Sequence, residues 1–162
     1  MPLLLIRFFD AFVYLFAGPV TVLATIPWSL LRLEEYWGWS RLPIATEVHA
    51  LGVVLLNGGA VLALWCTFQF IRQGHGTPIP TTPPSELVAT GIYRFTRNPM
   101  MLALLLTGVG EVVVTGSGLL LLWIFVGARA GHLYIVELEE PVLRQRFGAA
   151  FDDYCRKVPR WW

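Results

Sequence analysis

The sequence predicts an all-α integral membrane protein, a bundle of about four transmembrane helices followed by a cytoplasmic helical tail. Three observations carry this expectation. Hydrophobic residues make up 56% of the 162 positions and charged residues only 14%, where soluble domains carry about a quarter charged. A chain this short has too little interior to hide that much apolar surface from water. The apolar residues also fall into long runs, and the basic residues crowd into only some of the segments between them.

The first run, Ala11 to Leu31, holds 21 residues without a charge. That length crosses a hydrocarbon core of about 30 Å at about 1.5 Å per residue. Pro19 and Pro27 lie inside it and should kink it, which membrane helices tolerate. The run does not read as a cleaved signal. Arg7 follows rather than precedes the first apolar residues, and "ATIPW" is a poor cleavage site, so the segment is expected to be retained. The link "RLEEYWGWSR" brings Trp37 and Trp39, suited to the membrane interface.

A second span is expected over about 47–71, ending at Arg72. The loop "RQGHGTPIPTTPPSELVATGIYRFTRNP" follows, kept extended by Pro78, Pro80, Pro83 and Pro84. Long ordered connections are usually functional. From Met100 to Val136 the chain is apolar again, broken by "TGSG" at 115–118. A helical hairpin is expected, with spans at about 99–115 and 119–137. Residues 138–162 read as a polar, helical tail. The whole reads as one membrane domain, an N-terminal helical pair (1–72) and a core (73–162).

Arg72, Arg94, Arg97, Arg144, Arg146, Arg156, Lys157 and Arg160 lie in the Pro-rich loop and the tail, and only Arg32 and Arg41 lie opposite. With four spans, the positive-inside rule puts both termini and both polar clusters in the cytoplasm. The net charge of +1 gives no basic field for nucleic acid. Cys66 and Cys155 are isolated, supporting neither a disulfide framework nor a metal site.

Arg129, His132, Glu137, Glu139 and Glu140 gather at the end of the fourth run. His132 and Glu139, seven positions apart, share a helix face. Glu139 and Glu140 point in different directions, so one is expected to face inward while the other meets water or Arg144. Ionisable residues within a span are functional candidates; the plain alternative is that they snorkel and anchor the helix end. Asn57 reads as an interhelical contact, Glu111 as a structural residue reaching water near the distal turn, His49 as interfacial and His75 as a loop residue. "GVG" at 108–110 has no strand before it, which excludes a dinucleotide fingerprint. Its glycines suit close helix packing instead. Asn98 can cap the third span, with Pro99 at the first helical position. The free N–H groups there can hold an anionic part of a ligand, beside Gly91, Tyr93, Arg94 and Arg97.

The ordered series "GTPIPTTPPSELVATGIYRFTRNPM", "GE" at 110–111, His132, "ELEEPVLRQRFG" and "YCRKVPRW" resembles the isoprenylcysteine carboxyl methyltransferase and phospholipid methyltransferase superfamily, in particular its small bacterial members. The resemblance covers about residues 74–161. It implies S-adenosylmethionine as methyl donor, held without a Rossmann fold. Ser85, Glu86, Leu87, Val88 and Tyr93 would line the cofactor from the loop, Asn98 and Pro99 would continue that wall, and His132 and Glu139 would complete it. Arg97 suits the cofactor's carboxylate. Arg129 and Glu140 are the candidates for a catalytic role. A lipophilic acceptor, an isoprenylcysteine-type carboxylate or a phospholipid-like amine, would arrive laterally through a bacterial inner membrane.

Three positions depart from the family pattern: Met101 and Phe151 where relatives have tyrosines, and Ile135 where eukaryotic prenylcysteine enzymes place a basic residue. Two other functions fit the sequence less fully. One is a sterol-reductase-like oxidoreductase using NADPH, and the other a non-catalytic membrane scaffold.

Overall fold

The structure, a computed structural model, describes residues 18–73 and 86–161. Arg7, the start of the first run, His75, the four loop prolines, Ser85 and the final Trp162 lie outside the described residues. The described residues form five helices. Helix α1 spans 18–37, α2 Thr46–Gln73, α3 Pro99–Thr115, α4 Gly118–Phe147 and α5 Ala149–Lys157. A 3-10 turn, Gly91–Arg94, precedes α3.

Prolines shape two of these helices in the same way. In α1 the ladder widens to a π turn at Thr21–Thr25, just before Pro27. In α4 it widens at Ile135–Glu139, just before Pro141. Proline cannot donate to the preceding turn, and a wider turn accommodates the missing bond without ending the helix. In the turn that follows Pro27, Ser29 Oγ donates to the Thr25 carbonyl at 2.8 Å. The expected end of the fourth helix near residue 137 is therefore corrected, because α4 runs on to Phe147 through its π turn.

Thr46–Gln69 and Gly118–Phe147 are long and apolar enough to cross a membrane, and Pro99–Thr115 is apolar but shorter. Their outer faces are uncovered: Leu64 of α2 is 72% exposed and Phe125 of α4 71%. Contiguous apolar surface of this kind is rare on proteins that live in water.

The most extensive helix pairing joins α2 and α3, and small residues make it close. A methyl group at Gly110 would overlap the Leu56 amide nitrogen, and one at Gly59 would lie 2.7 Å from the Ala103 carbonyl oxygen. Backbone contact of this type is the packing available to helices when lipid removes the hydrophobic drive. Asn57, expected between helices, instead donates to the Val53 carbonyl of its own helix at 2.7 Å and stays exposed. Glu111 differs as well: its Oε2 is enclosed and has no hydrogen-bond partner. His49 is exposed near the start of α2.

At the distal end, α3 ends at Thr115 and α4 begins at Gly118, with only Gly116 and Ser117 between them. Ser117 Oγ accepts from the Leu120 N–H at 3.0 Å, and Glu34 of α1 accepts from the Leu119 N–H at 2.8 Å. Two of the orphan donors of the α4 N-terminus are satisfied this way. At the other end, α5 folds back under α4 on a small core of Phe151, Tyr154 and Val158.

Candidate functional site

Residues 86–98, which lead into α3, are held against the bundle by residues with special local demands. Gly91 adopts φ +60, and the Gln69 amide of α2 packs where any larger residue would place its Cβ. Tyr93, two residues on, is buried. Its carbonyl accepts from the Tyr154 hydroxyl at 2.5 Å, and its own hydroxyl reaches the Cys66 thiol of α2. Burial first, then the neighbouring Cys66, Tyr154 and Glu139, push the Tyr93 phenol well above its ordinary range. It stays protonated at neutral pH and serves as a wall rather than a base.

Residues 96–98 are fastened to the C-terminal segment. The Arg97 N–H donates to the Pro159 carbonyl at 3.0 Å. Thr96 Oγ1 and Asn98 Nδ2 both donate to the Arg160 carbonyl at 3.1 Å. Asn98 does occupy the position before α3, with Pro99 first in the helix, but its side chain caps nothing. The expected cap is thus corrected: the Arg160 carbonyl takes the Asn98 amide, and Thr96 Oγ1 accepts the Asn98 N–H at 3.3 Å.

The π turn of α4 sets the two consecutive glutamates apart. Glu140 is buried at 8% exposure. Its Oε1 lies 3.0 Å from Arg97 Nη1, and Arg160 binds it in bidentate fashion, Nε to Oε1 at 2.7 Å and Nη2 to Oε2 at 2.9 Å. The expectation that the glutamate not facing the pocket would meet water or Arg144 is corrected for Glu140. Arg144 pairs with Asp152 of α5 at 2.8 Å instead. Arg97 also donates from Nη1 to Cys155 Sγ at 2.8 Å, while its Nε is enclosed without an acceptor. Glu139 is exposed and takes part in no ion pair among the described residues.

These elements surround a cavity of about 590 Å³, within the range of about 300–1,000 Å³ usual for small-molecule sites. Glu86, Leu87, Val88, Tyr93, Arg97, Asn98 and Pro99 line it from the loop and the start of α3. Met101 and Leu104 continue along α3, and Tyr134, Ile135, Leu138, Glu139 and Glu140 come from α4. Phe151 and Tyr154 close it from α5. Most of the wall is apolar, and the polar groups are few.

The fold therefore gathers Glu86, Leu87, Val88, Tyr93, Arg97, Asn98, Pro99 and Glu139 around one cavity. Ser85 lies outside the described residues. His132 is not among the lining residues; its ring faces that of Trp161, 5.8 Å between centroids. Of the two catalytic candidates, Glu140 lines the cavity and Arg129 is exposed away from it. Sequence reasoning missed Tyr154, Arg146 and Arg160. For Tyr154 a signal existed, the helical spacing of Phe151, Tyr154 and Val158. Arg160 carries no local signal.

The three unusual positions are accommodated. Met101 packs its side chain on Gly131, where a Cβ would collide with it. Phe151 is 2% exposed in the tail core, and a ring without a hydroxyl needs no partner there. Ile135 is buried on the cavity wall.

The profile of the phospholipid methyltransferase family matches residues 48–150, more than half of the chain and all of the cavity wall up to α5. Two rice proteins, from Oryza sativa subsp. indica and subsp. japonica, each described as "Probable protein-S-isoprenylcysteine O-methyltransferase", are 28% identical to the chain over 154 residues. Each alignment covers 90% of this chain and 73% of the relative. No solved structure matches. A family profile over most of the helical bundle, with two distant relatives aligned along nearly the whole chain, places this protein in the phospholipid methyltransferase family of membrane methyltransferases.

Proposed function

We propose that the protein is an integral membrane methyltransferase that takes S-adenosylmethionine into the 590 Å³ cavity and methylates a lipophilic acceptor. One observation carries the reading: within the family-matched segment, a mostly apolar chamber is lined by a carboxylate, Glu139, that takes part in no ion pair among the described residues, and by a guanidinium, Arg97, that meets Glu140 through one nitrogen. A donor with a sulfonium, an ammonium, a carboxylate and a flat adenine fits those leftovers. Glu139 balances positive charge, the Arg97 guanidinium takes the carboxylate, and the apolar wall with Tyr93 packs the ring.

When bound, the donor supplies a methyl group already activated for in-line displacement. The residues of this chain are left with alignment and exclusion of water. Glu140 is held by two guanidiniums and the Tyr93 phenol stays protonated, so neither acts as a base. A carboxylate acceptor needs none, whereas a protonated amine would. The O-methyl relatives agree with a carboxylate on an apolar tail, and a phospholipid-like amine is the alternative that the family name keeps open.

In this reading α1 to α4 are four spans of one membrane domain. Arg72, Arg94, Arg97, Arg144, Arg146 and Arg160 then lie at the cavity end of the bundle, on the cytoplasmic side. In a bacterial cell this is the inner membrane. Donor enters from the cytoplasm, and the acceptor arrives through the bilayer past Met101, Leu104 and Leu138.

Calorimetric titration of the detergent-purified protein with S-adenosylhomocysteine, beside NADPH, tests the proposal. Micromolar binding of the first, lost on Glu139→Ala, is expected. Binding of NADPH alone would replace the methyltransferase by a reductase. Binding of neither by folded protein would leave a scaffold.

A further inference from the structure

Residues 158–161 lie beyond the segment matched by the family profile, yet they touch both sides of the cavity. Val158 is buried in the tail core, Pro159 and Arg160 receive the bonds from 96–98, and Trp161 faces His132. The segment is a strap between the start of α3 and the end of α4. Its backbone does the fastening, since the carbonyls of Pro159 and Arg160 are the acceptors. The Arg160 side chain does something separate. It meets Glu140 through two bonds of 2.7 and 2.9 Å, while Arg97 meets the same carboxylate through Nη1 alone, at 3.0 Å.

The consequence is a matter of charge. A buried carboxylate needs a cation, and an adjacent guanidinium turns its whole fork to it when nothing competes. Here Arg160 occupies that role, so Arg97, which lines the cavity, is bound to Glu140 by Nη1 alone, the same nitrogen that meets Cys155 Sγ. We infer that Arg160 is a positioning residue, one that saturates Glu140 so that the Arg97 guanidinium remains available to the carboxylate of the methyl donor's amino-acid part. This rests on the cofactor reading above and adds to it the group that the strap serves.

Two ligands separate the roles. S-adenosylhomocysteine carries the amino-acid carboxylate; 5′-methylthioadenosine has the same adenine, ribose and thioether without it. In Arg160→Ala, the strap carbonyls persist while Glu140 recruits Arg97. Calorimetry on the full chain in detergent should show S-adenosylhomocysteine weakened about tenfold or more, the range of a lost charge-assisted bond, with methylthioadenosine within about twofold of wild type. Arg160→Lys, which keeps the charge but not the fork, should show the same selective loss at smaller size and covers the case in which the alanine variant does not fold. Arg97→Gln should lower S-adenosylhomocysteine towards the affinity of methylthioadenosine and leave the latter within about twofold of wild type. A parallel loss of both ligands in Arg160→Lys would make Arg160 a structural clamp only and overturn the inference. So would unchanged affinity for both. Failure of wild-type protein to bind either ligand would instead defeat the cofactor reading, and this inference with it.

Discussion

Two buried glutamates mark the two ends of the bundle, and they are compensated differently. Glu34, 3% exposed at the end of α1, accepts from the Leu119 N–H at 2.8 Å and thereby caps α4. Its other oxygen is enclosed without a hydrogen bond, and Arg41 approaches it only to 3.8 Å. Arg41 is drawn to Glu35 at 3.0 Å, which also holds Arg32. Glu140 at the opposite end is enclosed by two guanidiniums through three contacts of 3.0 Å or less. The distal glutamate serves a helix terminus, whose partial positive charge supplies part of its compensation. The other needs full cations, because it lies mid-helix with no orphan N–H nearby. Cations gathered in that number bring donors beyond what one carboxylate uses, and the surplus borders a cavity. The first arrangement is architecture, and the second lines a cavity.

The largest effect expected from breaking this comparison is at Glu140. Glu140→Ala strands two guanidiniums, and thermal unfolding in detergent should register a loss of about 3–5 kcal/mol. Binding of S-adenosylhomocysteine should fall with it.

Glu34→Ala should cost less, about 1–3 kcal/mol for an orphaned buried N–H and a lost cap. Affinity for S-adenosylhomocysteine should stay within about twofold of wild type. Equal losses of affinity in the two variants would show that the ends are coupled and that the contrast drawn here is false. Glu34→Gln sharpens the point, because its amide carbonyl still accepts from Leu119. It should recover most of the stability if capping, rather than charge, is the role of Glu34.

Smaller effects are expected at Tyr154 and Ser117. Tyr154→Phe removes the bond to the Tyr93 carbonyl and should destabilise by about 1 kcal/mol, with a modest loss of ligand affinity through the shifted Tyr93 wall. Ser117→Ala removes a distal N-cap and should lower stability by about 1 kcal/mol, with no change in titration with S-adenosylhomocysteine.

Much of the fold was legible because helix limits are written locally. Pro99 and "TGSG" bound α3 at the expected residues, and the glycines of "GVG" do permit close packing, Gly110 against Leu56 of α2 and Gly108 against Ile124 of α4. The continuation of α4 past residue 137 was not legible. A fall in apolar content and a proline mark a helix end and a π turn equally well. Only the packing of Ile135 against the cavity and of Glu140 against two arginines selects the second. The loop-side wall was legible from the order of its residues. His132 was expected on one helix face with Glu139; a π turn, Ile135–Glu139, follows it in the chain, and the His132 ring faces Trp161.

By itself the sequence determined the apolar helical character of the chain, most of its helix limits and the family, since each follows from composition, local period or the order of residues along the chain. Tertiary structure alone decided which charges neutralise one another. Arg160 reaches Glu140 across 20 residues, and Glu34 reaches the α4 N-terminus across 85. Pairing energy depends on distance in space and on the absence of competing water, and neither quantity is encoded in the neighbourhood of a single residue.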